Sequence, residues 1–115
     1  MEYSLKILEE KPDYGLIELS SEVLGGSDAQ SFASIIDNIA QEKAVKNIIV
    51  DLSKVELINS SGLGMLVSGV RTLKASKINF ILISIPQKVK YLLEITHLDT
   101  VFTCYEDLAT ALKSE

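Results

Sequence analysis

Ile48-Ile49-Val50-Asp51-Leu52-Ser53-Lys54-Val55-Glu56-Leu57-Ile58-Asn59-Ser60-Ser61-Gly62-Leu63-Gly64-Met65-Leu66-Val67 decides the fold of this chain. Its first three residues are an uninterrupted β-branched run. Such a run suits a central strand covered on both faces, so the spacing predicts a strand over Val45 to Val50. Asp51 to Ile58 alternates less regularly and is read as a loop. Beyond it Leu63, Leu66, Val67, Val70 and Leu73 recur at helical spacing, which predicts an amphipathic second helix. A buried strand followed by a helix is the unit of an α/β domain with a parallel sheet.

The flanking sequence extends the same alternation. Tyr3 to Leu8 alternates apolar and polar residues, Lys11-Pro12-Asp13-Tyr14-Gly15 supplies turn chemistry, and Leu16-Ile17-Glu18-Leu19 resumes in β character. The opening is therefore expected to be an antiparallel hairpin. Gly25-Gly26 ends it, and Ser27 or Asp28 can cap a first helix with Phe32, Ile35, Ile36 and Ile39 inward. Ile78 to Ile85 is the next strand. Pro86 can open a third helix at its first turn, with Val89, Leu92, Leu93 and Ile95 inward. Val101-Phe102 reads as a short edge strand, and Glu106 to Lys113 as a terminal helix through Leu108, Ala109 and Leu112. The order is β-β-α-β-α-β-α-β-α, a mixed and mostly parallel α/β sheet opening with an antiparallel hairpin, and a single domain over 1–115.

Composition narrows the function. Eleven Lys and Arg against sixteen Asp and Glu give a formal net charge of −5, and no basic stripe stands out, so direct nucleic-acid binding is not expected. Cys104 is the only cysteine, which rules out an internal disulfide and argues against a Cys-based metal site. The N-terminus shows no signal peptide, and Ile78 to Ile85 is far too short for membrane insertion, so a cytoplasmic setting is expected. No cofactor motif is present: Val67 stands where a dinucleotide loop beginning Gly62-x-Gly64 needs its third glycine, and no Gly-Lys-Ser phosphate loop exists. His97, the only histidine, sits in Thr96-His97-Leu98-Asp99 after a helix, where capping or solvent contact is its role. Cys104 reads as a packed thiol, and Tyr91 and Tyr105 as core or rim residues. No catalytic residues are assigned, and the chain is not expected to be an enzyme.

The chemistry concentrates at the start of the second helix. Asn59 or Ser60 can cap it, because either side chain accepts from a first-turn N–H. The positive end of a helix tolerates a phosphate on a hydroxyl held there. Ser61 and Gly62 keep the approach to Ser60 open. Gly64, Met65 and Ser68 are placed opposite the apolar stripe, forming a near-neutral face for a partner.

Asp51-Leu52-Ser53-Lys54-Val55 followed by Ile58-Asn59-Ser60-Ser61-Gly62-Leu63-Gly64 resembles the bacterial anti-sigma factor antagonist family, the STAS-domain proteins. The resemblance implies a STAS-like mixed sheet and phosphorylation at Ser60. It implies as partners an anti-sigma factor with serine kinase activity and a serine phosphatase. Unphosphorylated antagonist binds the anti-sigma factor and frees the sigma factor; the phosphorylated form is released. Asn59, Ser61, Gly62, Gly64, Met65, Ser68, Ser21, Glu22 and Leu24 are the expected partner-binding residues. Two positions depart from the family pattern: Asn59 where many members carry Asp, and Leu24 in place of a loop acid. Two other readings compete. One is a STAS scaffold subunit that is never phosphorylated. The other is a phosphorelay receiver using Asp51 with Glu9 and Glu10, which Pro12 and Gly15 oppose by leading into a strand where a receiver needs a helix.

Overall fold

The computed structural model describes residues 1–114. The elements run β1 (Glu2–Ile7), β2 (Tyr14–Val23), α1 (Ser27–Glu42), β3 (Asn47–Ile58), α2 (Ser60–Ala75), β4 (Asn79–Ile83), α3 (Gln87–Ile95), β5 (Thr103–Tyr105) and α4 (Leu108–Ser114). The five strands form one sheet in the order β1-β2-β3-β4-β5. β1 is antiparallel to β2, and every later pair is parallel. The mixed sheet and the element order expected from the sequence are both observed.

Each parallel neighbour is reached through a helix, and right-handed crossovers between successive adjacent strands put those helices on one face. The packing agrees. Ile17, Leu19, Ile48, Val50 and Leu82 point into one cluster with residues of α1, α2 and α3, including Phe32, Leu66 and Val89. Tyr14, Leu16, Ile49, Ile81 and Ile83 point to the other face and meet Ala111 of α4. The alternation Ile48, Ile49, Val50 thus feeds both clusters, as a strand covered on both faces requires. Burying an aliphatic side chain of this size contributes about 1.5–3 kcal/mol, so the hydrophobic layers either side of β3 hold the domain together.

Several local expectations are corrected. The stretch read as a loop, Asp51 to Ile58, is the second half of β3. Between Glu18 and Ser20, β2 advances two residues while β3 advances three, from Asp51 to Lys54; between Ser21 and Glu22, β2 advances one while β3 advances two, from Val55 to Leu57. Each extra residue is a bulge, which disrupts the period of two. Leu52, Val55 and Ile58 are buried while the residues between them are exposed, so the apolar positions fall every third residue. Neither Ser27 nor Asp28 caps α1: the N-cap is Gly26, and Asp28 instead pairs with the terminal ammonium of Met1 at 3.4 Å. Pro86 sits at the N-cap of α3, just before its first turn, and Ile95 is exposed. The last strand lies beyond Val101-Phe102, whose phenylalanine is buried with its ring centroid 6.1 Å from that of Phe80. In α4 the fully buried alanine is Ala111, and Ala109 is exposed.

Candidate functional site at the start of α2

β4 pairs with β3 only as far as Asp51, opposite Ile83. From Leu52 onward β3 continues with β2 alone, a two-stranded extension that carries the start of α2 past the end of β4. Val23 and Ile58 close that extension as partners, and α2 begins two residues later.

Three contacts fix the turn. Asn59 is extended and its Oδ1 accepts from the Gly62 N–H at 2.8 Å, so Asn59, not Ser60, is the N-cap. Its carbonyl accepts from the Leu63 N–H at 2.9 Å, and its own N–H donates to the Val23 carbonyl at 3.4 Å. That same Val23 carbonyl presses against Gly62, where a Cβ would fall inside the oxygen's van der Waals shell. Gly25, at φ 85°, lies beneath Ser61, and a Cβ on it would stand 2.7 Å from the Ser61 Cβ. Two glycines therefore let the end of β2 close on the first turn of α2.

This arrangement leaves Ser60 as the first helical residue, exposed to solvent. Among the described residues no hydrogen bond engages its hydroxyl. α2 carries no acidic residue in its first turn, and the N–H groups of that turn not taken by Asn59 have no acceptor within the helix. A negative group on the Ser60 oxygen would meet the positive end of the helix dipole.

The expected partner residues divide. Asn59, Ser61, Gly64 and Ser68 are exposed beside or along the helix from Ser60, and Glu22 and Leu24 are exposed at the end of β2. Ser21, half-buried, sits at the second bulge with φ 65° and donates to the Glu2 carboxylate at 3.2 Å. Two expectations fail. Gly62 is buried against Val23 and serves the close approach just described. Met65 is 5% exposed and belongs to the main core cluster, lining the seam between α1 and α2 with Ala29 and Phe32. The stripe drawn from Leu63 to Leu73 accounts only for the side facing the sheet. α1 packs alongside α2 and buries a second side of it, through Met65 and Gly69.

Two residues beside the site were not anticipated. Leu57 is exposed next to the turn, an apolar residue that the bulges of β3 turn outward, and Arg71 is exposed one turn beyond Ser68. The period-three spacing of Leu52, Val55 and Ile58 was the signal for Leu57. Arg71 follows from Gly64 by seven residues, two helical turns.

The competing acceptor is otherwise engaged: Asp51 Oδ1 accepts from the Ser53 N–H at 2.8 Å, the local bond expected of it. Among the described residues no group of three or more His, Cys, Asp or Glu side chains is disposed to hold a metal ion. No described helix is long and apolar enough to cross a membrane. His97 ends α3 in the left-handed conformation, its N–H donating to the Glu94 carbonyl at 3.2 Å. Cys104 lies on exposed β5, and burial of its sulfur pushes the thiol pKa up, opposed by Lys90, so it is held as a thiol rather than a nucleophilic thiolate. Tyr91 is exposed on α3 and is neither core nor rim.

Known proteins share this architecture. The chain is 28% identical over 98 residues to a Thermotoga maritima protein provisionally named an anti-sigma factor antagonist, covering 85% of this chain and 87% of that protein. A crystal structure from Thermotoga maritima with the same provisional name has a TM-score of 0.83 at 26% identity, covering 97% of this chain and 92% of the other. The Bacillus cell fate determinant SpoIIAA in its phosphorylated form has a TM-score of 0.74 at 17% identity, covering 99% of this chain and all of that one. The likeness to SpoIIAA is one of fold. A family model, that of the STAS domain, matches residues 6–111. With nearly its whole length matched, the chain belongs to the STAS domain family.

Proposed function

We propose that this chain is an anti-sigma factor antagonist switched by phosphorylation of Ser60. The observation that carries the reading is the exposed Ser60 hydroxyl at the first position of α2, relieved of capping by Asn59 and engaged by no other group among the described residues. Its partner is an anti-sigma factor that is also an ATP-dependent serine kinase, and a serine phosphatase resets it. The relatives support the reading: SpoIIAA, an anti-sigma factor antagonist of the same fold, is known in unphosphorylated and phosphorylated forms.

The switch works by charge. Without phosphate, Ser60, Ser61, Gly64 and Ser68 present small, uncharged groups that another protein can cover. Phosphorylation adds about −1.5 to −2 charges at neutral pH. The first turn of α2 stabilises that charge inside this protein, so the domain stays folded. A partner surface fitted to the neutral form must instead cover an uncompensated anion, and each ~1.4 kcal/mol of that cost weakens binding tenfold. Asn59 keeps the cap that Asp provides in many relatives, but adds no second negative charge beside the phosphate.

The test is an intact-mass measurement after incubation with ATP and the cognate kinase. The wild-type chain gains one phosphate and Ser60→Ala gains none while remaining folded. Labelling that survives in Ser60→Ala and is lost in Asp51→Ala assigns the acceptor to Asp51 instead. No labelling with any kinase encoded nearby leaves a permanent scaffold as the function.

A further inference from the structure

The sheet has one long open edge. β1 lies outside β2, and all six of its residues are exposed, whereas β5 at the opposite edge spans only three. The main-chain phase of β1 follows from its register with β2, which runs from Glu2↔Ser20 to Ile7↔Gly15. Continuing that register, the Leu8 N–H donates to the Tyr14 carbonyl at 3.0 Å. In an antiparallel ladder such bonding alternates, so the even-numbered residues of β1 address β2. Tyr3, Leu5 and Ile7 turn their N–H and C=O groups to the open edge. Their side chains form an apolar stripe, 51%, 43% and 50% exposed, and Glu2, Ser4 and Lys6 project from the opposite face.

We propose that β1 is a homodimer interface, pairing antiparallel with β1 of a second copy about a two-fold axis at Ser4. The hydrogen-bond phase requires odd residues to face odd ones. Centring on Ser4 makes Tyr3 and Leu5 of the two copies exchange both main-chain bonds. It also sets Glu2 against Lys6 of the second copy, in the closely spaced non-bonded position, twice by symmetry. Centring on Leu5 would set Ser4 against Lys6, and centring on Tyr3 would set Ser4 against Glu2. Only the Ser4 register matches acid to base. The pairing is isologous, consumes the open edge of both copies and stops at two, which removes an exposed edge that otherwise invites open-ended association. It joins the two apolar stripes into one. It does not depend on the role given to Ser60.

Sedimentation equilibrium across a range of concentrations tests it. The wild-type chain forms a reversible dimer. Glu2→Lys and Lys6→Glu each place like charges opposite one another and weaken self-association by about tenfold or more. An equimolar mixture of the two variants restores the wild-type association, because an all-basic strand then meets an all-acidic one. Circular-dichroism melts establish that both variants are folded. A wild-type chain that remains monomeric from micromolar to millimolar concentration overturns the proposal. So does a dimer indifferent to the reversals, or a mixture no tighter than its components.

Discussion

At the scale of single residues the site is a division of labour among neighbours. Asn59 takes the capping role, which frees the Ser60 hydroxyl, and Gly62 gives up its side chain so that the Val23 carbonyl can reach the helix. Gly62 and Gly64, both in the first turns of α2, are predicted to respond oppositely to alanine. Gly62→Ala forces a Cβ into the Val23 carbonyl and destabilises by about 1–3 kcal/mol, despite the better helix propensity of alanine. Gly64→Ala meets nothing within 4 Å of the added Cβ and stabilises by up to about 1 kcal/mol. Urea denaturation of the two variants checks both. The residues of this site were legible to different degrees. The Asn59-Ser60-Ser61 run announced a helix start on local chemistry alone, since capping depends on groups a few positions apart. The burial of Met65 and Gly62 depends on α1 and on the end of β2, tertiary neighbours that no helical period encodes.

The elements follow the same logic. α1, α2 and the hairpin were legible because their apolar residues repeat at the period of the element, about 3.6 in the helices and two in the alternating strand β1. β3 was legible only through Val50, where it pairs on both sides without interruption. Past Asp51 its two bulges replace the period of two with a period of three, and the sequence then carries no strand signal. The shortest strand, β5, and the shortest helix, α4, shifted by about two residues because too few side chains define their phase. α4 offers a prediction of its own. The Asp107 carboxylate accepts from the Thr110 N–H at 2.8 Å, capping the helix, and that backbone bond with a second one from the Thr110 side chain holds its pKa below the ordinary value. A pKa lowered in the folded state stabilises above the unfolded value and is lost as pH falls through the folded one. Asp107→Ala is therefore expected to lower the melting temperature most at neutral pH. The gap from wild type should close only below the usual carboxylate range. Thermal melts from neutral pH into acid follow this directly, and a gap that widens in acid would contradict the assignment.

For the whole molecule, the sheet, not the helix, decides where Ser60 sits. The β2–β3 extension carries the start of α2 past the end of β4, and the sheet behind it is packed on both faces. The topology was legible because strands and helices alternate with short connections, leaving one simple right-handed arrangement. Which edge remained open was not, since β1 alternates apolar and polar residues like a strand with one buried face, yet all its residues are exposed. The switch proposed at Ser60 changes surface charge without changing fold, so its effect belongs to binding. Calorimetric titration of the cognate anti-sigma factor with Ser60-phosphorylated and unmodified protein measures that effect directly. The account predicts that phosphorylation weakens binding by about tenfold or more while the melting temperature of the free domain stays nearly constant. Equal affinities for the two forms would contradict it.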